Sequence, residues 1–185
     1  MPLNVITNSC VGARIYQEKN MIYGNPFMWS IVPPDDFLYL YKNYDRINFG
    51  NYELTREGED YKIIIDGRVN VYYVHYRYDE NSTVPTVRDE IDVYYNKIED
   101  YIKEKYETRL KRMTGKPVFI VSDREFYEKK WCTFTRDDLL NYVGKEDCIV
   151  ATCDRSIVGK NVVYTPAKIM NPKDIAEIIL KNKNL

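Results

Sequence analysis

The tightest constraint on this chain is a pair of short apolar runs, "PVFIVS" from Pro117 to Ser122 and "CIVAT" from Cys148 to Thr152. They are apolar at successive positions, not at alternate ones, so a strand built from either must be buried on both faces. Each is followed by a helix or strand pattern. "TRDDLLNYVG" reads as a short capped helix that stops at Gly144, "KNVVYTP" as another strand, and "NPKDIAEIILKN" as a closing helix with Asn171 as N-cap and Pro172 in its first turn. Helix alternating with buried strand predicts an α/β fold, a mostly parallel sheet flanked by helices.

The N-terminal half fits around that sheet. "LNVIT" predicts a short buried strand and "CVGARIYQEKN" a helix, with Asn8 or Ser9 supplying the capping oxygen. "DDFLYLYKNYDRI" predicts a second helix, with Asp35 and Asp36 at its positive end. "NYELTREGEDYKIIIDGRVNVYYVHYRY" reads as strands joined by turns, with Asp66-Gly67 as a hairpin signal, so an antiparallel hairpin insertion is expected. From Val87 to Met113 apolar residues recur every three or four positions, which predicts a helix of about seven turns starting near Thr86 and Asp89 and stopping at Gly115. With 185 residues and no linker or repeat, one α/β domain over residues 1–185 is the expected organisation.

Composition excludes more than it implies. The net charge of −1 argues against a nucleic-acid partner, and no apolar run is long enough for an integral membrane segment. The N-terminus lacks the pattern of a secretion signal, so the cytoplasm is the expected compartment. Four cysteines in no CxxC pair and a single histidine make a zinc site an unusual proposition, so reduced thiols, no metal and no cofactor are expected. The 18 tyrosines fit half-buried packing with bonded hydroxyls or, alternatively, an aromatic-walled groove for a sugar ring.

The residues that could carry chemistry start with Cys10. It falls between the first strand and the first helix, at the sheet edge where ligands bind in open α/β folds. The helix dipole there favours a thiolate over a thiol, and the N–H groups of the first turn could form an oxyanion hole, with Gly12 allowing close approach. His75 is the one candidate base, and Asp79 or Glu80 could orient it. Alternatively Cys10 is a small packing residue and His75 a strand residue bonded to a carbonyl or tyrosine. In "YETRLKRM", Arg109 and Arg112 share a helix face. They form either a solvated last turn or a fork for phosphate or carboxylate. Asp123, in "SDRE", lies at a strand end and can bind a ligand or cap a turn.

Taken in order, "NSCVGARIYQ", "YGNPFMW", "HYRYDE", "YETRLKRM" and "PVFIVSDRE" resemble a bacterial family of exopolysaccharide biosynthesis proteins, uncharacterised in its chemistry. Its members carry an "SNNCWGG-x-x-Y" opening, a "YNTPF" segment, a "HY" strand, an "RR-x-x-R" helix end and an "NDRD" segment. The likeness spans nearly the whole chain. A more distant one is to papain-like cysteine peptidases that open with Cys and a "PFDW" segment. The resemblance marks Asn8, Cys10, Gly12, Tyr16, Asn25, Pro26, Phe27, His75, Tyr76, Arg109, Arg112, Asp123 and Arg124. Val11, Ser122 and Tyr106 depart from it, standing where Trp, Asn and Trp are common. It implies an enzyme of surface-polysaccharide assembly. Cys10 and His75 would be its catalytic pair in group transfer, acyl transfer included. Asn8, Gly12, Trp29, Arg109, Arg112, Asp123 and Arg124 would contact the substrate, a sugar or phosphorylated sugar donor. A papain-like hydrolase and a non-catalytic sugar- or phosphate-binding protein with a structural cysteine are the alternatives. Nothing in the sequence speaks to oligomeric state.

Overall fold

The structure, a computed structural model, describes residues 4–58, 60–77, 98–123, 132–168, 171–183 and 185; for residues 74–77 and 98 it describes the backbone alone. The expected start of the long helix, from Thr86 through Asp89, lies outside these residues.

Four strands form the parallel sheet: β1 (Val5–Thr7), β5 (Val118–Ser122), β6 (Cys148–Thr152) and β7 (Val162–Tyr164), in the order β1-β5-β6-β7. The register starts with Val5 opposite Val118, then Phe119 opposite Cys148, then Val150 opposite Val162. Side chains alternate between the two faces, as a strand requires. Ile6, Phe119, Val121, Cys148 and Val150 enter one apolar cluster, while Val5, Ile120, Ile149, Ala151 and Val163 enter the other. Both faces are covered, which is why these strands read as unbroken apolar runs.

The second cluster is closed by α1 (Val11–Glu18) and α5 (Pro172–Asn182), through Val11 and Ile15 on one and Ile175, Ala176 and Ile179 on the other. Asn171 caps α5 by accepting the Lys173 N–H at 2.9 Å, as its sequence implies. On the opposite face lie α2 (Pro34–Asn43), α3 (Ile98–Arg112) and a second sheet. That sheet is antiparallel, with β2 (Tyr52–Glu57), β3 (Asp60–Ile65) and β4 (Val69–Arg77) in order. Alternate residues of β3, and of β4 as far as Tyr73, point inward: Tyr61, Ile63 and Ile65, then Val69, Val71 and Tyr73. The expected hairpin is therefore a separate three-stranded layer facing the parallel sheet. Asp66 and Gly67 both adopt positive φ (52° and 66°), and the Arg68 N–H closes the turn on the Ile65 carbonyl at 3.0 Å.

Tyrosine serves mainly as packing. Tyr73 donates to the Pro26 carbonyl at 2.7 Å and Tyr106 to the Phe49 carbonyl at 2.8 Å, while Tyr16 accepts the Val5 N–H at 3.3 Å. Each buries a ring and satisfies its hydroxyl. Burial raises the pKa of the Tyr16 and Tyr106 phenols.

Candidate functional site

The turn after β1 is held by Thr7, a residue that cap reasoning passes over. Cys10 occupies the N-cap position of α1 with helical dihedrals (φ −65°, ψ −4°), and no side chain caps the helix from there. The expected oxygens of Asn8 and Ser9 are not used. The reason is geometric: with Cys10 already helical, the chain brings Thr7 under the first turn instead. Thr7 Oγ1 accepts the Gly12 N–H at 3.2 Å and donates to the Ser9 carbonyl. One N–H expected to be open for an oxyanion is therefore engaged. A Cβ at Gly12 would lie 2.7 Å from Thr7 Oγ1 and 2.8 Å from Thr7 Cγ2, so the absent side chain lets α1 lie against β1.

Asn8 continues the sheet. Its Nδ2 donates to the Ser122 carbonyl at 2.9 Å and its Oδ1 accepts the Ser122 N–H at 3.0 Å, one more rung on the β1–β5 ladder made by a side chain. At the end of β5, Asp123 Oδ2 accepts from Thr152 Oγ1 at 2.5 Å and from the Cys153 N–H at 3.1 Å, tying β5 to the turn after β6. The carboxyl ends of three adjacent parallel strands thus bring Cys10, Asp123 and Cys153 to one edge. Cys10 itself is buried, 1% exposed. The Ser9 hydroxyl beside it is buried and has no hydrogen-bond partner.

The backbone of His75 sits in an irregularity. Tyr61 pairs with Tyr73 but its neighbour Asp60 pairs with Arg77, so residues 74–76 have no counterpart on β3. Bulges of this kind re-aim side chains. The imidazole itself, and hence any dyad with Cys10, lies outside the described residues, as does Arg124.

The arginines lie on α3. Arg109 is 3% exposed; its Nη1 donates to the Met28 carbonyl at 3.2 Å and its guanidinium lies 5.3 Å from the centre of the Tyr23 ring. Tyr23 meets Trp29 edge-on at 6.3 Å, and Arg14 lies 4.7 Å over the Trp29 ring. Two cations therefore flank a pair of rings along one seam, Arg109–Tyr23–Trp29–Arg14. Next to the seam is a cavity of about 400 Å³, lined by Met21, Ile22 and Tyr23 on one side and by Glu104, Lys105, Thr108, Arg109 and Arg112 of α3 on the other. Cys10, Asn8, Gly12 and Asp123 are not among its lining residues. Arg109 and the Cys10 turn share Met28 as a neighbour: Arg109 donates to its carbonyl, and a Cβ at Gly12 would lie 3.4 Å from its Cε. Glu104 and Lys105 had no signal beyond helical spacing, because the wall opposite α3 comes from a loop more than 80 positions away.

The remaining cysteines are in no disulfide, and burial pushes the Cys148 thiol up to about 12. Among the described residues no helix is long and apolar enough to cross a membrane.

The family model for a domain of unknown function, DUF1919, matches residues 1–152. The chain belongs to that family. The DUF1919 match takes in the Cys10 turn, the arginine cavity and the strands β1, β5 and β6, and stops short of β7 and α5. No curated protein matches the chain.

Proposed function

We propose that this DUF1919 protein is an enzyme of bacterial surface-polysaccharide assembly that holds a phosphorylated sugar in the α3 cavity. The carrying observation is Arg109, a buried cation on the wall of a cavity, with Arg112 one turn further on and exposed. A buried guanidinium is costly without an anion or a dense set of acceptors. Its fork suits a phosphate. The family likeness of the sequence supplies the pathway.

Arg112→Ala tests this reading. Titration calorimetry with inorganic phosphate should show roughly tenfold weaker binding in the variant, the loss of one charge-assisted contact of about 1.5 kcal/mol. The same affinity in parent and variant would remove the arginines from the reading.

A second reading concerns Cys10. Its support is the position at the carboxyl edge of the sheet and the head of α1, beside the buried Ser9 hydroxyl. There Cys10 would be the nucleophile of a group transfer, with His75 as base; with water as acceptor the same pair would make a papain-like hydrolase. The measurement is the alkylation rate of Cys10 against pH, in the parent and in His75→Ala, with circular dichroism confirming that both are folded. A dyad predicts reaction well below the ordinary thiol pKa of about 8.5, and loss of that low-pH limb in the variant. Superimposable profiles would leave Cys10 as a packing residue.

A further inference from the structure

The chain leaves α1 through a turn that folds it back on itself. Lys19 is the C-cap, and Asn20 follows it at positive φ (51°). The Asn20 N–H donates to the Gln17 carbonyl and the Met21 N–H to the Tyr16 carbonyl, both at 2.9 Å, which are the paired bonds of a Schellman turn. Asparagine enters this left-handed backbone more readily than most side chains. The three residues after it, Met21, Ile22 and Tyr23, form the cavity wall opposite α3. The same turn sets Tyr23 beside the end of α1, where Gln17 Nε2 donates to its hydroxyl at 3.0 Å.

The direction of that bond follows from Arg14. Its Nη1 donates to Gln17 Oε1 at 2.7 Å, while its guanidinium is held 4.7 Å over the Trp29 ring. A guanidinium has donors only, so it meets the amide through the carbonyl. The amide nitrogen then faces Tyr23, and the phenol oxygen must accept. The phenol's own proton is turned away from Gln17, and among the described residues nothing accepts it. The Tyr23 ring meanwhile lines the cavity, with the Arg109 guanidinium 5.3 Å from its centre. Arg14, Gln17 and Tyr23 thus present a hydrogen-bond donor on a wall that otherwise reads as an apolar loop.

Resting on the reading of the cavity as a phosphate site, we infer that the Tyr23 hydroxyl donates to the bound oxyanion from the wall opposite Arg109 and Arg112, and that Gln17, held by Arg14, is the positioning residue that aims it. A phosphate has acceptor oxygens on every side, so donors on both walls can grip one group.

The test is calorimetric titration with inorganic phosphate of the parent, Arg112→Ala, Tyr23→Phe, Gln17→Glu and the double variant Tyr23→Phe/Gln17→Glu, with melting curves showing that each is folded. Tyr23→Phe keeps the ring against Arg109 and removes only the donor. Its phosphate affinity should fall about tenfold, with a melting temperature close to the parent's. Gln17→Glu puts a carboxylate where the amide was, and a carboxylate accepts from Arg14 and from Tyr23 alike. The phenol proton is then drawn to position 17, and affinity should fall about as far as in Tyr23→Phe. In the double variant Gln17→Glu should cost less than about twofold more, because the proton it captures is already gone. Equal losses from Gln17→Glu in the two backgrounds would make its effect one of charge alone and overturn the positioning role. An affinity that is unchanged in Tyr23→Phe but lower in Arg112→Ala would overturn the donor role of Tyr23 and leave the phosphate site standing. No phosphate binding by the parent would overturn both.

Discussion

Phe37→Ala should lower the melting temperature by about 6–20 °C, from a loss of about 3–5 kcal/mol. Phe37 has no exposed surface and meets Phe119 and Phe134 edge-on, both at 5.9 Å, with Tyr142 at 5.8 Å. It joins α2 to β5 and, through Phe134, to the approach to α4 (Arg136–Leu140), so truncation opens a cavity where three elements meet. Such a site collapses poorly because its neighbours are rings held by several contacts each. Thermal denaturation followed by circular dichroism measures the effect. A drop of under 2 °C would mean that the aromatic cluster contributes little beyond filling space.

Arg109→Ala should both destabilise the protein and disable the cavity. The variant leaves the Met28 carbonyl without its described donor and removes the cation stacked on Tyr23. The stability cost is about 1–3 kcal/mol, or about 2–12 °C in melting temperature. Phosphate affinity should fall by about 30-fold or more, since losing one member of a buried charge pair costs at least about 2 kcal/mol. Arg109→Lys keeps the charge but not the planar fork, so it should recover part of the affinity and little of the stack. Calorimetry and melting read the two effects separately. A lower melting temperature with unchanged phosphate affinity would make Arg109 a strut and nothing more.

That second prediction marks where sequence reading reached its limit. As a cation in the last turn of an amphipathic helix, Arg109 reads as solvated, and its replacement as nearly neutral for folding. What buries it is the loop carrying Tyr23 and Met28, which no local pattern brings to α3. Local signals did well. The Asp66-Gly67 turn, the Asn171 cap and the capping box of Thr135 with Asp138 all form where short-range chemistry puts them. The buried runs "VFIV" and "CIVA" announced a parallel sheet because both faces of each strand had to be covered and helix patterns alternated with them. The head of α1 was missed for a subtler reason. Asn8 and Ser9 have the right chemistry for a cap. Asn8 is drawn instead into pairing with Ser122, more than 100 positions along the chain, and that competition is invisible locally. The surroundings of Arg109 escaped for the same cause: helix spacing tells which residues share a face, and tertiary packing alone tells what the face looks onto.

The pairing of Val5 with Val118 has a consequence for the order of events on the ribosome. At about 5–20 residues per second, synthesis takes on the order of 10 s to travel from the first strand to its neighbour. The strands of the antiparallel sheet, all between residues 52 and 77, emerge within that interval and need only one another to pair. The first strand must wait, and with it the turn that carries Cys10. The inserted layer can therefore pair its strands before β1 has a partner, and Asn8 can pair with Ser122 only once Ser122 has been made.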